Sequence, residues 1–264
     1  MECESGTGNE RPRASEEGAH GRHHVRRLNK FRREGALPVL VRPRELIGCR
    51  STLVSIVWRC PLDVSAYLAL GQQIEVGEHA CPGPGCGRRL GGWSGYWRWV
   101  RGPDTGRLWI RRGRCSRCLR SHALLPDFLL ERRLDAVEVI GHALALGIVG
   151  GLGVRSVADR VGVPMTTARG WRRRFQLRAP ALVAALVAVA VQLDPAPVLL
   201  ASQGETAVLE ALGATWQRAR TRFGERGPAM WRFWSLISGG HALGTNRSPP
   251  ATQAGGAGWM TPSP

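Results

Sequence analysis

Four cysteines near the middle of the chain, in the runs Cys81-Pro-Gly-Pro-Gly-Cys86 and Cys115-Ser-Arg-Cys118, restrict the fold more than any other feature of the 264 residues. Zinc prefers four thiolate or imidazole ligands in a tetrahedron, and two cysteines with two to four residues between them can bend round one edge of it. Pro and Gly inside the first pair supply a tight turn, and Gly87 leaves room for backbone amides to face the sulfurs. Residues 95–101 and 107–111, between the pairs, read as strands joined by a turn at 102–106. One face of the first strand carries Tyr96, Arg98 and Val100, and the other Trp97, Trp99 and Arg101. Such a hairpin returns the second pair to the first. Four thiolates leave Zn2+ with a net charge of about −2, which Arg88, Arg89, Arg114 and Arg117 can offset while favouring deprotonation. A closed four-cysteine site has no open position for water, so the expected cofactor is a structural Zn2+ held by Cys81, Cys86, Cys115 and Cys118. Two alternatives stay open: His79 or His122 in place of one cysteine, or four unrelated thiols in a loop-rich segment. Cys3, Cys49 and Cys60 have no partner at ligand spacing and read as ordinary thiols.

The charge is equally lopsided. Lys and Arg number 37 against 20 Asp and Glu, a net charge of +17. Lys30 is the sole lysine, so part of the arginine excess reads as a high-G+C coding bias. Position carries more information than the total. Residues 81–178 hold nineteen arginines against six acidic residues, which favours a polyanionic partner, nucleic acid first and an anionic membrane surface second. Residues 1–5 show no apolar run behind a basic flank, so no secretory signal is expected. The apolar stretch 179–191 contains Pro180 and falls short of the about 20 residues a bilayer span takes; it reads as a buried helix. No membrane partner is therefore expected. A cytoplasmic, nucleoid-associated location follows, where thiols stay reduced and paired cysteines suggest metal.

The expected fold class is α+β: a small zinc-ribbon β-hairpin module, then an α-helical helix-turn-helix domain, between disordered termini. The boundaries read as a disordered tail at 1–36, a zinc-ribbon domain at 50–126, a helix-turn-helix domain at 127–178, C-terminal helices at 179–240 and a disordered tail at 241–264. In the first tail, the run His20-Gly-Arg-His23-His24 reads as solvated rather than ligating. Residues 51–58 read as a strand and 64–71 as a short helix. Val137, Ile140, Leu144 and Ile148 fall at steps of three, four and four, the pattern of an amphipathic helix. Asp135 is placed to cap it, and Gly141 and Gly147 weaken it. Further helices are expected at 181–193, 205–223 and 231–237.

Residues 154–175 carry the second informative pattern. A helix-turn-helix needs a small residue where its helices cross, met by Ala158. It needs a turn residue tolerating positive φ, met by Gly162. Apolar contact positions are supplied by Val157, Val161, Val163, Ala168 and Trp171. The second helix starts near Pro164 or Met165. Its outer face offers Met165, Thr166, Arg169 and Arg173 to a major groove, while Arg155, Arg172 and Arg174 suit phosphates. The competing reading is a helical hairpin in a bundle whose arginines form a solvated face.

With both modules in place, the chain resembles an uncharacterised family of bacterial transposase-like proteins that join a zinc ribbon to a helix-turn-helix. The likeness lies in Cys81-Pro82, Cys86-Gly87, Tyr96-Trp97-Arg98, Leu108-Trp109-Ile110-Arg111-Arg112, Cys115-Ser-Arg-Cys118, the run from His122 to Pro126, Val157-Ala158 and Gly170-Trp171-Arg172-Arg173. The C-x4-C opening departs from the C-x2-C of many zinc ribbons. In related insertion-sequence transposases such a part resembles the piece that finds DNA ends while a later domain cuts. An RNase H-like nuclease needs three carboxylates on a mixed α/β core. After Phe175 only Asp194, Glu205, Glu210 and Glu225 are acidic, and Asp127, Glu131, Asp135 and Glu138 read as surface carboxylates at helical spacing. The expected function is therefore a non-enzymatic, zinc-stabilised protein that binds double-stranded DNA. The alternatives are an active transposase with unrecognised carboxylates, or a protein-protein module in which 181–193 and 231–237 form a homodimer interface.

Overall fold

The computed structural model describes residues 55–244 apart from 103, 225 and 226. The tail expected at 1–36, residues 245–264 of the tail expected at 241–264, the run His20 to His24, Cys3, Cys49 and the strand start at 51–54 lie outside the described residues.

The described chain is a mixed α+β fold. In chain order it runs β1 (Ser55–Trp58), α1 (Val64–Leu70), a 3-10 turn (Gly71–Gln73), β2 (Leu90–Val100), β3 (Gly106–Cys115) and β4 (Ser121–Pro126). There follow α2 (Val137–Ile148), α3 (Val154–Val161), α4 (Met165–Leu193), α5 (Gly204–Phe223) and α6 (Met230–Ile237). The four strands form one sheet in the order β1-β4-β3-β2. β1 runs parallel to β4; the other two pairings are antiparallel.

The β2–β3 hairpin is longer than the sequence suggests because pairing runs from Val100↔Gly106 to Leu90↔Cys115, with one irregularity between Gly92 and Ser94 that leaves Trp93 unpaired. Alternation sorts the side chains. Val100, Leu108 and Ile110 are fully buried, whereas Trp97 and Trp99 face outward with Trp109 and Arg107 opposite them. Gly95 is required by contact: a Cβ there would stand 2.3 Å from Trp109 Cε2. α1 closes the buried side. Asp63 caps it, accepting from the Ala66 amide at 2.7 Å, and Tyr67 is buried edge-on to Phe128 with its hydroxyl donating to the Trp109 carbonyl at 2.9 Å.

Two apolar cores result. One lies under the sheet around Tyr67, Leu108, Ile110, Leu125 and Phe128. The other fills the helical half around Leu144, Trp171, Phe175, Leu182, Leu212 and Trp234. α6 ties them together: Ser235 Oγ donates to the Leu129 carbonyl at 2.6 Å. Arg232 reaches the carbonyls of Cys60 and Leu62 at 3.2 and 2.9 Å, pairs with Glu138 at 2.7 Å and lies 3.7 Å from Asp127.

Several expectations need correction. Asp127 and Asp135 are not surface carboxylates: they are 1% and 2% exposed. Asp135 does not cap α2, whose N-cap is Ala136 with no side-chain bond. It faces Arg101 instead, with Nε–Oδ1 and Nη2–Oδ2 both at 3.0 Å, because Arg101 and Asp135 bridge as parallel neighbours and a buried carboxylate is held best by a fixed guanidinium. Residues 241–244, expected in the tail, are folded, with Ala242 and Leu243 each 1% exposed.

The helices expected at 164–175 and 181–193 are one 29-residue helix containing Pro180. An interior proline costs about 3 kcal/mol, but Phe175, Ala179, Leu182, Leu186, Ala190 and Leu193 form a continuous buried stripe against α5 that offsets it. Arg218 and Arg222 satisfy the last carbonyls of α4, donating to Asp194 at 2.8 Å and Leu193 at 3.0 Å. Among the described residues α4 is the one helix long and apolar enough to cross a membrane by length and composition, with 28% of its most apolar window buried in the fold.

Candidate metal centre

The strands bring the cysteine pairs together from opposite ends of the hairpin. Cys81 and Cys86 lie in the loop before β2. The Ala80↔Arg89 bridge closes this loop, as do the bonds Cys81 N to Arg88 O (2.7 Å) and Leu90 N to His79 O (2.8 Å). Within it the Cys86 amide donates to the Gly83 carbonyl at 2.9 Å, a tight turn that the glycine-rich spacer permits; Gly85 and Gly87 both take positive φ. Cys115 ends β3, and Cys118 sits in the following turn, which Leu119 closes by donating to the Cys115 carbonyl at 3.0 Å.

All four sulfurs lie within 4.8 Å of one another. Cys81 and Cys118 are 3.5 Å apart, as are Cys86 and Cys115. A tetrahedron with metal–sulfur bonds of about 2.3 Å has edges of about 3.8 Å, so the donor set fits a single ion. Cys81 and Cys115 are buried, Cys86 and Cys118 partly so. Amides back the sulfurs: Gly83 N donates to Cys81 Sγ at 3.4 Å. The Cys118 amide, with that of Arg117, brings the Cys115 thiol down to about 6. Burial pushes the Cys81 thiol up to about 12, against the Gly83 amide. A bound cation would draw the protons off the sulfurs it holds.

His122, an alternative ligand by sequence, is buried with Nε2 3.6 Å from Cys81 Sγ; it neighbours the set without belonging to the mutual cluster. His79 is likewise outside it. Cys60 is a separate buried thiol, raised to about 11 chiefly by burial. Of the arginines assigned to the site, Arg117 reaches the Gly85 carbonyl at 3.4 Å, Arg89 pairs with Glu78 at 2.6 Å and Arg114 lies over the Trp93 ring at 4.3 Å.

The second set of candidates lies on α3 and α4. Gly162 ends α3 in the left-handed region at φ 70°, ψ 37°, and α4 starts three residues later. Val157, Ala158, Ala168 and Trp171 are buried where the two helices meet. Arg155, Thr166, Arg169 and Arg173 are exposed, whereas Met165, Arg172 and Arg174 are half-buried. Arg172 lies 3.5 Å from Glu205 of α5, and Arg174 folds back onto the Gly170 carbonyl at 2.9 Å. These two arginines, expected to meet phosphates, are engaged within the fold. Arg169 approaches Met165 Sδ at 3.9 Å.

Spacing gave no signal for the group formed by buried Asp127 with half-buried Glu138 and Arg232, whose members come from a turn, α2 and α6. Burial is the main influence on Asp127, whose carboxyl rises to about 7 despite Arg232.

The class this site defines is a mixed α+β protein with a four-thiol cluster able to hold one metal ion. The chain matches no protein-family model, no curated protein and no solved structure.

Proposed function

We propose that this chain is a zinc-stabilised DNA-binding protein in which a four-cysteine zinc ribbon precedes a helix-turn-helix that reads duplex DNA. The observation that carries the reading is the exposed stripe of Thr166, Arg169 and Arg173 along the first turns of α4. The opposite face of that helix is seated on α3 through Ala168 and Trp171. Residues at i, i+3 and i+7 share one face of a helix, so the three can enter a groove together. Left-handed Gly162 between the helices supports the same reading, since the turn of a helix-turn-helix needs that conformation. Arg155 on α3 is the remaining exposed phosphate contact. Kinship with transposase-like proteins and a nucleoid location belong to this reading. Zinc is favoured over other metals because four thiolates in a closed tetrahedral set suit it.

Binding of a labelled duplex library by the purified protein at rising salt tests the proposal. Affinity should fall steeply and linearly in log–log form as counterions are released. Arg169→Ala should relax preference at one base, while Arg155→Ala should weaken all sequences alike. Arg172→Ala is not a clean phosphate probe, because it also breaks the contact with Glu205. Salt-insensitive binding, or identical effects of the two variants, would count against the groove assignment. One zinc per chain by mass spectrometry is the companion measurement.

A further inference from the structure

We propose a second nucleic-acid surface: the outer side of the β2–β3 ribbon binds single-stranded nucleic acid by stacking its unpaired bases on Trp97 and Trp99. It stands independently of the duplex reading.

An edge strand usually carries charge, proline or short length to blunt it. β2 is an eleven-residue edge strand that instead leaves Trp93 57%, Trp97 40% and Trp99 55% exposed. Lone exposed apolar side chains are ordinary, but a cluster marks a binding site. Folding does not explain these rings, since the core of this module closes on the opposite side around Leu108 and Ile110.

The surroundings choose the partner. Arg107 stands directly across from Trp99 on β3 and is exposed, so the ligand is anionic. Arginines already lie over two of the indoles: Arg114 is 4.3 Å from the Trp93 centroid and Arg107 5.9 Å from that of Trp97. Guanidinium groups beside indoles favour a ligand that presents flat π faces and phosphate together. Trp97 also meets Trp109 edge-on, at 5.2 Å and 67°, which fixes its ring. Side chains two apart on a strand stand about 6.8 Å from one another, twice the roughly 3.4 Å rise of stacked bases. Bases drawn apart along the strand can therefore meet Trp97 and Trp99 in turn. A duplex hides its base faces and would leave the indoles without partners, so the ligand is single-stranded. An open groove of about 410 Å³, lined by Arg89, Gly92, Trp93, Arg114 and Leu119, lies at the bulge end of the same hairpin.

The test uses the full-length, metal-loaded protein. Fluorescence anisotropy compares an oligothymidylate of about 16 nucleotides, an abasic strand of equal charge, and a duplex. The thymidylate should bind at least about tenfold more tightly than the abasic strand, as base–aromatic stacking implies. Trp97→Ala/Trp99→Ala should lose that advantage and leave duplex affinity unchanged. Trp97→Phe/Trp99→Phe should recover most of it. Arg169→Ala reports on the duplex reading alone, so either idea can fail without the other. Equal affinity for thymidylate and abasic strands overturns the proposal, and this arm needs no variant. A folded, metal-replete alanine variant with unchanged thymidylate binding also overturns it, as does an acidic peptide that competes for the indoles better than thymidylate.

Discussion

Alanine at Gly141 and at Gly213 should move stability in opposite directions, although both glycines lie inside helices. Gly→Ala in an open helix position gains about 1 kcal/mol from helix propensity. At Gly213 in α5 an added Cβ meets nothing within 4 Å, so the gain is realised. At Gly141 in α2 the Cβ would stand 2.0, 2.3 and 2.5 Å from Cδ2, Cε2 and Cε3 of Trp231. Unbonded carbons settle near 3.5–4.0 Å, so the indole must retreat by more than an ångström. Trp231 is half-buried and meets Trp234 edge-on with centroids 5.8 Å apart, contacts that a retreat removes. An indole buries about 150–250 Å². Losing about half of that at about 25 cal/mol per Å² costs roughly 2–3 kcal/mol, more than the propensity gain. Gly141→Ala should therefore lower stability by about 1–2 kcal/mol. At about 2–4 °C per kcal/mol for a chain this size, it should melt several degrees early, while Gly213→Ala melts a few degrees late. Thermal and urea unfolding followed by circular dichroism reads both. In a Trp231→Ala background the penalty at Gly141 should vanish. A Gly141→Ala protein that melts as late as Gly213→Ala would refute the reasoning.

Treating the metal-loaded protein with a strong chelator should unfold the β2–β3 module and abolish thymidylate binding, and Cys115→Ser should bind no stoichiometric zinc by mass spectrometry. Metal should also be released as pH falls, because each ligand sulfur must lose its proton to bind. Asp127, at about 7 in the fold against 3.8 unperturbed, holds its proton longer folded than unfolded. Its contribution to stability is thus present below about pH 4, is lost as pH rises to about 7, and is flat above that. The loss is a few kcal/mol in order of magnitude, and Asp127→Asn should remove this slope from urea midpoints measured across that window. Arg101→Ala leaves Asp135 buried without its cation and should cost roughly 3 kcal/mol; adding Asp135→Asn should recover much of that in the same assay.

The cysteine set was readable in advance because its information is local. Ligand spacing sets the two turns, and the strand-turn-strand pattern between them dictates that the pairs meet; the fold added the tighter loop closure, and it placed His122, offered by the sequence as an alternative ligand, beside Cys81 but outside the cluster. The α3–α4 turn was equally readable, since Gly162 is a backbone requirement written as one residue type. Pro180 misled for the opposite reason. A proline marks a local cost, whereas the stripe from Phe175 to Leu193 that outweighs it exists only against α5.

What the sequence alone determined is therefore the set of features with short-range causes: the thiol pairs, the hairpin, the left-handed turn and the basic character of the middle of the chain. Tertiary structure decided which polar and aromatic groups face inward. It buried Asp127 and Asp135 beside arginines drawn from distant segments, engaged Arg172 and Arg174 within the fold, and left three tryptophans of β2 in solvent. Burial depends on what packs across from a residue, and that partner lies tens of residues away along the chain, beyond the reach of any periodic pattern.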